Sequence, residues 1–295
     1  VDVVVRVHAV VGAARAAEDF RRAVGQHLVD VHVVRRAGAS LVHVHEEELL
    51  DVLARYNPES AARLGVEGHD AGIFDLKPGY DTRFEADLAS VATQLERKLA
   101  TEKDARLQQD LHILVDAAAD NRTTSELKRR LMLPYFDLPQ ALFRGFQSLL
   151  DPRVSKDRYP AALARLRKYT GREPGYTPIT QLARERTEER FGVEGLTGPW
   201  TVEVEQNLAN EPRYVSGIRD LFKESGLTGW QADLELLEQQ LAEHSRWIRS
   251  AITTSASLSA ASMSDVTVNR RPAAPRAAQA SNPRRSVDGP HSQRS

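Results

Sequence analysis

The sequence has no cysteine. That removes disulfides, thiolate nucleophiles and every cysteine-held zinc or iron–sulfur site at once, and it leaves the redox compartment open. An excess of one charge is also missing. Forty Lys and Arg stand against 41 Asp and Glu, so no global field favours nucleic acid or an anionic membrane. No run of about 18 apolar residues occurs, which excludes a membrane-spanning helix. Arg6, Arg15, Glu18, Asp19, Arg21 and Arg22 interrupt any apolar region of a signal peptide. Three catalytic signatures are absent as well: a Gly-rich phosphate loop with its lysine, a G-x-S-x-G nucleophile elbow, and the helical H-E-x-x-H of zinc peptidases.

What is present is the composition of a soluble protein, 41% apolar and 27% charged, over 295 residues, enough for one large domain or two small ones. The chain is organised around Leu131 to Phe191, where the spacing predicts three short helices. Asp137 caps the first, Pro139 lies in its early turn, and Phe143, Phe146, Leu149 and Leu150 recur until Asp151-Pro152 ends it. Ser155 opens the second, with Ala162, Leu163, Leu166 and Tyr169 on one stripe and Gly171 just past its end. Thr177-Pro178 starts the third, which runs to Phe191 and stops at Gly192.

Before this block, residues 1–45 read as an uncertain α/β segment: a strand over 1–11, an amphipathic helix over 13–30, and two more β-branched runs over 31–45. From Glu46 the character is helical. Glu46 to Tyr56 is one helix, and Asn57 to Tyr80 a connection punctuated by glycine and proline. Asp81 to Glu102 carries Phe84, Leu88, Val91, Leu95 and Leu99 at helical steps, and Lys103 to Leu131 continues as a long helix with a break expected near Asn121 to Thr124. After the block, 192–200 is a loop, 201–212 is ambiguous between strand and helix, and Arg213 to Glu224 is a short helix stopped by Gly226. Trp230 to Ile252 is a helix with Leu234, Leu237, Leu241, His244 and Ile248 along one face. From Thr253 the chain is rich in Ser, Ala, Pro and Arg, which predicts a disordered basic tail over 253–295. Its arginines come without aromatics, so nucleic acid is not expected as a partner.

His43-Val44-His45 followed by Glu46, Glu47 and Glu48 is the one concentrated set of potential metal ligands. On a strand, residues two apart share a face, and both imidazoles would meet one zinc ion. The plainer alternative is a polar strand end running into an acidic helix start. His45-Glu46 begins H-E-x-x-H, but Leu49 stands where the second histidine is needed. His112 and His244 read as helix-surface or boundary residues, and Asp75, Asp81, Glu85 and Asp87 as capping carboxylates around a turn and a helix start. No residue is assigned a catalytic, cofactor-binding or metal-ligating role.

The stretches Asn57 to Tyr80, Leu133 to Phe191 and Leu196 to Arg249 resemble, in order, the bacterial family catalogued as domain of unknown function 885. The resemblance covers roughly Leu49 to Arg249 and rests on proline, glycine and aromatic punctuation. It implies a mainly α, irregular helical array, the N-terminal half of a helical zincin-like architecture. Members are similar to helical zinc peptidases of the carboxypeptidase and oligopeptidase type, and many are exported or lipid-anchored. Their H-E-x-x-H lies in the second half, beyond the matched region, so zinc is implied for the complete family member and no catalytic residue carries over to this chain. The composition shift after Arg249 fits out-of-frame translation of a GC-rich gene or a natural split, which leads to the expectation of a truncated chain inactive alone. Its helices would then expose an apolar face toward the missing half or another protein partner.

Overall fold

The computed structural model describes residues 2–5, 33–37 and 43–264, with side chains over 47–251. Two short strands, β1 (Asp2–Val5) and β2 (Val33–Ala37), pair antiparallel with Val3 opposite Arg35 and Val4 opposite Val34. The helix expected over 13–30 lies outside the described residues. Helix α1 (His43–Tyr56) begins inside the run expected to be β-branched strand. Glu46, Glu47 and Glu48 suit a helix N-terminus. Leu49, Val52, Leu53 and Tyr56, buried at three- and four-residue steps, outweigh the two valines before them.

Asn57 ends α1 and caps α2 (Pro58–Arg63), its Oδ1 accepting from the Ser60 N–H at 3.2 Å. Part of the expected connection is therefore helical. Helices α3 (Tyr80–Thr101) and α4 (Ala105–Leu131) form an antiparallel hairpin, with Asp104 accepting from the N–H groups of Arg106 and Leu107. No break interrupts α4. Asn121 donates to the Ala117 carbonyl at 2.8 Å, Arg122 pairs with Glu126, and the buried Ala117, Ala118 and Ser125 hold both sides of the suspected site against α3. Leu88, Leu95 and Leu111, all fully buried, centre the core that α1, α3 and α4 share.

The second core is the Leu131 to Phe191 block with two later helices. It comprises α5 (Leu138–Leu150), a 3-10 turn (Lys156–Arg158), α6 (Pro160–Thr170), α7 (Ile179–Glu188), α8 (Thr201–Ser225) and α9 (Gln231–Ser264). Asp137 caps α5 and Gly171 ends α6 in the left-handed conformation, as the sequence predicts. Helix α7 is shorter than expected. Pro178 occupies its cap position, and Arg190 and Phe191 turn back on Thr187 and Glu188 through tighter three-residue hydrogen bonds. Helix α8 takes in both the 201–212 segment, which read as ambiguous between strand and helix, and the short helix expected over Arg213 to Glu224. Pro212 lies on its exposed side, while Val204 and Leu208 before it and Ile218 and Phe222 after it are anchored in separate cores. At Gly217, α8 crosses α5 so closely that a Cβ would stand 2.6 Å from the Phe143 ring.

The stripe of α9 is buried throughout. Leu234, Leu237, Leu241 and Ile248 are each 4% exposed or less, and the first three join Phe146, Leu166 and Tyr169 of the central block. Of the expected tail, 253–264 continue α9 as backbone, and 265–295 lie outside the described residues. The fold of the described residues is mainly α.

Candidate functional site

A buried polar network ties α2 and the 64–79 connection to the second core. Glu59 of α2 accepts from the Phe74 N–H at 3.0 Å and from the Tyr169 hydroxyl at 2.5 Å. Arg165 of α6 has no exposed surface and donates to the carbonyls of Gly72 (2.8 Å), Gly145 (2.6 Å), Pro58 (3.3 Å) and His69 (3.5 Å), and to Ser148 Oγ (3.2 Å). Gly145 is required here, because a Cβ would lie 2.9 Å from both Glu59 Cγ and the Tyr169 hydroxyl. Burial pushes the Glu59 carboxyl above its ordinary range, against the opposing pull of Arg165 and the Tyr169 hydrogen bond. Nearby, Arg158 grips Asp70 and the Ala62 carbonyl, and Lys168 donates to the Ala71 carbonyl. Together these bonds pin the 64–79 connection to α5 and α6. With Arg165 and Tyr169 sealed from solvent, the network clamps structure and has no opening for a substrate.

A second polar seam runs between α5, α8 and α9. Burial pushes Asp137 up to about 6, with Glu203 and Glu211 adding to the effect and Arg144 opposing it. Tyr135 accepts from Asn207 Nδ2 at 3.2 Å. The cleft bounded by Tyr135, Asp137, Asn207, Glu211 and Ser245 has about 10 Å³ of free space, room for one water. His244 is buried on α9, not at a helix surface. It stacks on Trp247 with ring centres 5.5 Å apart, and burial lowers it to about 4, so it is neutral at physiological pH.

An open groove of about 610 Å³ is lined by Thr123, Glu126, Leu127, Arg129, Arg130 and Arg190. Arg129 is held by a two-pronged pair with Glu85, at 3.0 and 2.9 Å. Arg190 donates to the Arg129 carbonyl at 2.6 Å. Thr197 then bonds to the backbone of both Leu131 and Leu133, so the loop leading to α8 lies beside the end of α4. That stretch carries four of the five large apolar residues exposed among the described ones: Phe191, Val193, Trp200 and Val202.

Two of the carboxylates expected to serve as caps, Glu85 and Asp87, do other work, whereas Asp81 lies in the first turn of α3. Asp87 accepts from the Tyr56 hydroxyl and from Arg55, Glu85 pairs with Arg129, and Gly79 occupies the cap position of α3. Helix α3 faces α1 and α4 here, so each carboxylate meets a donor from a neighbouring helix. Asp75 does close a turn, accepting from the Lys77 N–H at 2.7 Å. His112 is exposed on α4, as expected. His43 and His45 fall in the first turn of α1, on helical and not strand backbone. The strand geometry that would have aimed both at one zinc ion does not exist. Among the described residues no three His, Asp or Glu side chains converge to hold a metal. No described helix is long and apolar enough to cross a membrane. No protein-family model matches this chain, and no curated protein or solved structure matches it either.

Proposed function

We propose that the chain is the non-catalytic helical half of a zinc-dependent peptidase-like hydrolase, forming one wall of a substrate cleft whose metal site lies in another polypeptide segment. The resemblance over Leu49 to Arg249 supports the hydrolase setting. The observation that carries the role is the apolar patch at Phe191, Val193, Trp200 and Val202, exposed by 40, 43, 57 and 49%. A chain that buries Phe222, Leu237 and Leu166 completely leaves these four in water within a dozen positions, as a surface meant for another protein does. The same patch supports a second reading, a helical scaffold that binds a protein partner and takes no part in catalysis.

One experiment separates the two. The DNA that follows the gene is read in every frame for H-E-x-x-H, and the polypeptide found there is co-expressed with this chain. The hydrolase reading expects a stable complex, bound zinc, and peptide hydrolysis that neither piece shows alone. Lack of that motif in every frame, or a second piece fully active without this chain, leaves the scaffold.

A further inference from the structure

We infer that the partner surface continues from the apolar loop into the arginine groove, and that its occupant is an acidic peptide segment of a partner protein, with carboxylates set beside large apolar side chains. This rests on the reading of the 191–202 stretch as a partner surface. Two separate observations meet there.

The first is apolar exposure on the loop, and the second is incompletely compensated positive charge beside it. Of the three arginines in the groove, Arg129 is neutralised by Glu85. Among the described residues Arg130 forms no ion pair, and the one hydrogen bond from Arg190 goes to a backbone carbonyl. Arg130 therefore faces a concave site without a paired carboxylate, and Arg190 shares the single Asp81 carboxylate with Arg129 and Arg186; the planar forks of both match carboxylates in two-pronged geometry. The paired hydrogen bonds of Thr197 to Leu131 and Leu133 hold loop and groove side by side, so one bound segment spans both.

The surroundings argue against a polyanion. Glu126 lines the groove, and Glu194 and Glu205 are exposed on or just beyond the loop, so a continuous phosphate backbone would meet repulsion on either side. A segment with one or two carboxylates and flanking leucine or phenylalanine meets attraction at Arg130 and Arg190 and apolar contact at Phe191 and Trp200.

The test uses the full chain and a short synthetic peptide alternating glutamate with leucine and phenylalanine. Trp200 is the optical reporter, and a Trp200→Phe variant identifies its signal. The expected result is a blue shift of Trp200 emission on binding. Arg130→Gln and Arg190→Gln should each weaken binding about tenfold, Arg190→Lys should restore most of it, and Arg153→Gln should leave it unchanged. The glutamine version of the peptide should bind far more weakly.

The inference is overturned by no binding of the acidic peptide, by equal binding of its glutamine counterpart, by equal or tighter binding of a single-stranded oligonucleotide of similar charge, or by self-association lost in Trp200→Ser, which assigns the surface to a second copy. Wild-type peptide binding in the arginine variants, together with a partner complex that Trp200→Ser abolishes, sinks the inference and leaves the partner-surface reading standing. If that complex also survives Trp200→Ser, both fail.

Discussion

Replacing Arg165 with methionine should be among the most damaging single changes available in this chain. The side chain is fully buried and supplies hydrogen bonds to the carbonyls of Gly72, Gly145, Pro58 and His69 and to Ser148. Methionine fills much of the volume but donates nothing, so several buried acceptors lose their partner and Glu59 loses the positive charge that opposes its burial penalty. Breaking a buried charge network by removing one member costs about 3 to 5 kcal/mol, the larger part coming from the charge left behind. For a domain of this size that corresponds to a melting temperature lower by roughly 6 to 20 °C.

The penalty must also depend on pH, with a definite sign. Burial holds Glu59 above its ordinary pKa in the folded state. A folded-state value raised in this way contributes stability below the unfolded pKa and loses it as pH rises through the folded one. Without Arg165 the folded-state value rises further, so the variant should lose more stability at pH 8 than at pH 5. Urea denaturation at both pH values, with the slope checked for constancy, measures this directly. Glu59→Gln combined with Arg165→Met should cost less than the sum of the single changes, by at least about 1 kcal/mol. A loss under 1 kcal/mol for Arg165→Met, strict additivity, or a penalty that shrinks with rising pH would refute the description of this network as a charge-compensated clamp.

Leu237→Glu, at a position with no exposure, should lower the melting temperature sharply or prevent folding, while Leu236→Glu on the half-buried side should be mild; thermal melts of both decide it. Gly217→Ala should cost about 1 to 3 kcal/mol by overpacking against Phe143, and Phe143→Leu in the same chain should recover part of that in denaturation curves. Asp137→Asn keeps a good helix cap and removes a carboxyl whose folded pKa is raised to about 6. The wild-type carboxyl contributes stability below its ordinary value and loses it as pH rises through about 6, so the variant should be more stable than wild type above pH 6, by roughly 1 to 2 kcal/mol after allowance for solvent screening, and equal to it near pH 4. Equal stability at all pH values would place Asp137 in a wetter site than the structure shows.

Local periodicity and punctuation were enough to read most of the helices. The steps of Phe84, Leu88, Val91 and Leu95, the cap at Asp137, the proline after Asn57 and the glycine after Thr170 all act over one or two turns, a range where chain geometry alone specifies the outcome. The stripe of α9 was legible for the same reason, since four large apolar side chains on one face must be covered by something.

What covers them, and what accompanies them, was decided by tertiary structure. Arg165 stands on the same stripe as Ala162, Leu166 and Tyr169, a position where a charged residue signals a buried partner, yet its partners lie 17 to 107 positions away in sequence. Glu85 and Asp87 read as local caps, but the packing of α3 on α1 and α4 turned them toward arginines and a tyrosine 31 to 44 positions distant. Helix α8 passes through Pro212 because the segments on either side are each anchored in a core, and this burial outweighs a single proline's penalty. Gln240 of α9 donates to the Thr170 carbonyl at the end of α6, 70 positions away. Most of the large apolar side chains left exposed among the described residues fell on the 191–202 stretch. Exposure is a property of what neighbours leave uncovered, and neighbours are set by the whole chain, whereas helical periodicity needs only the residues within a few turns.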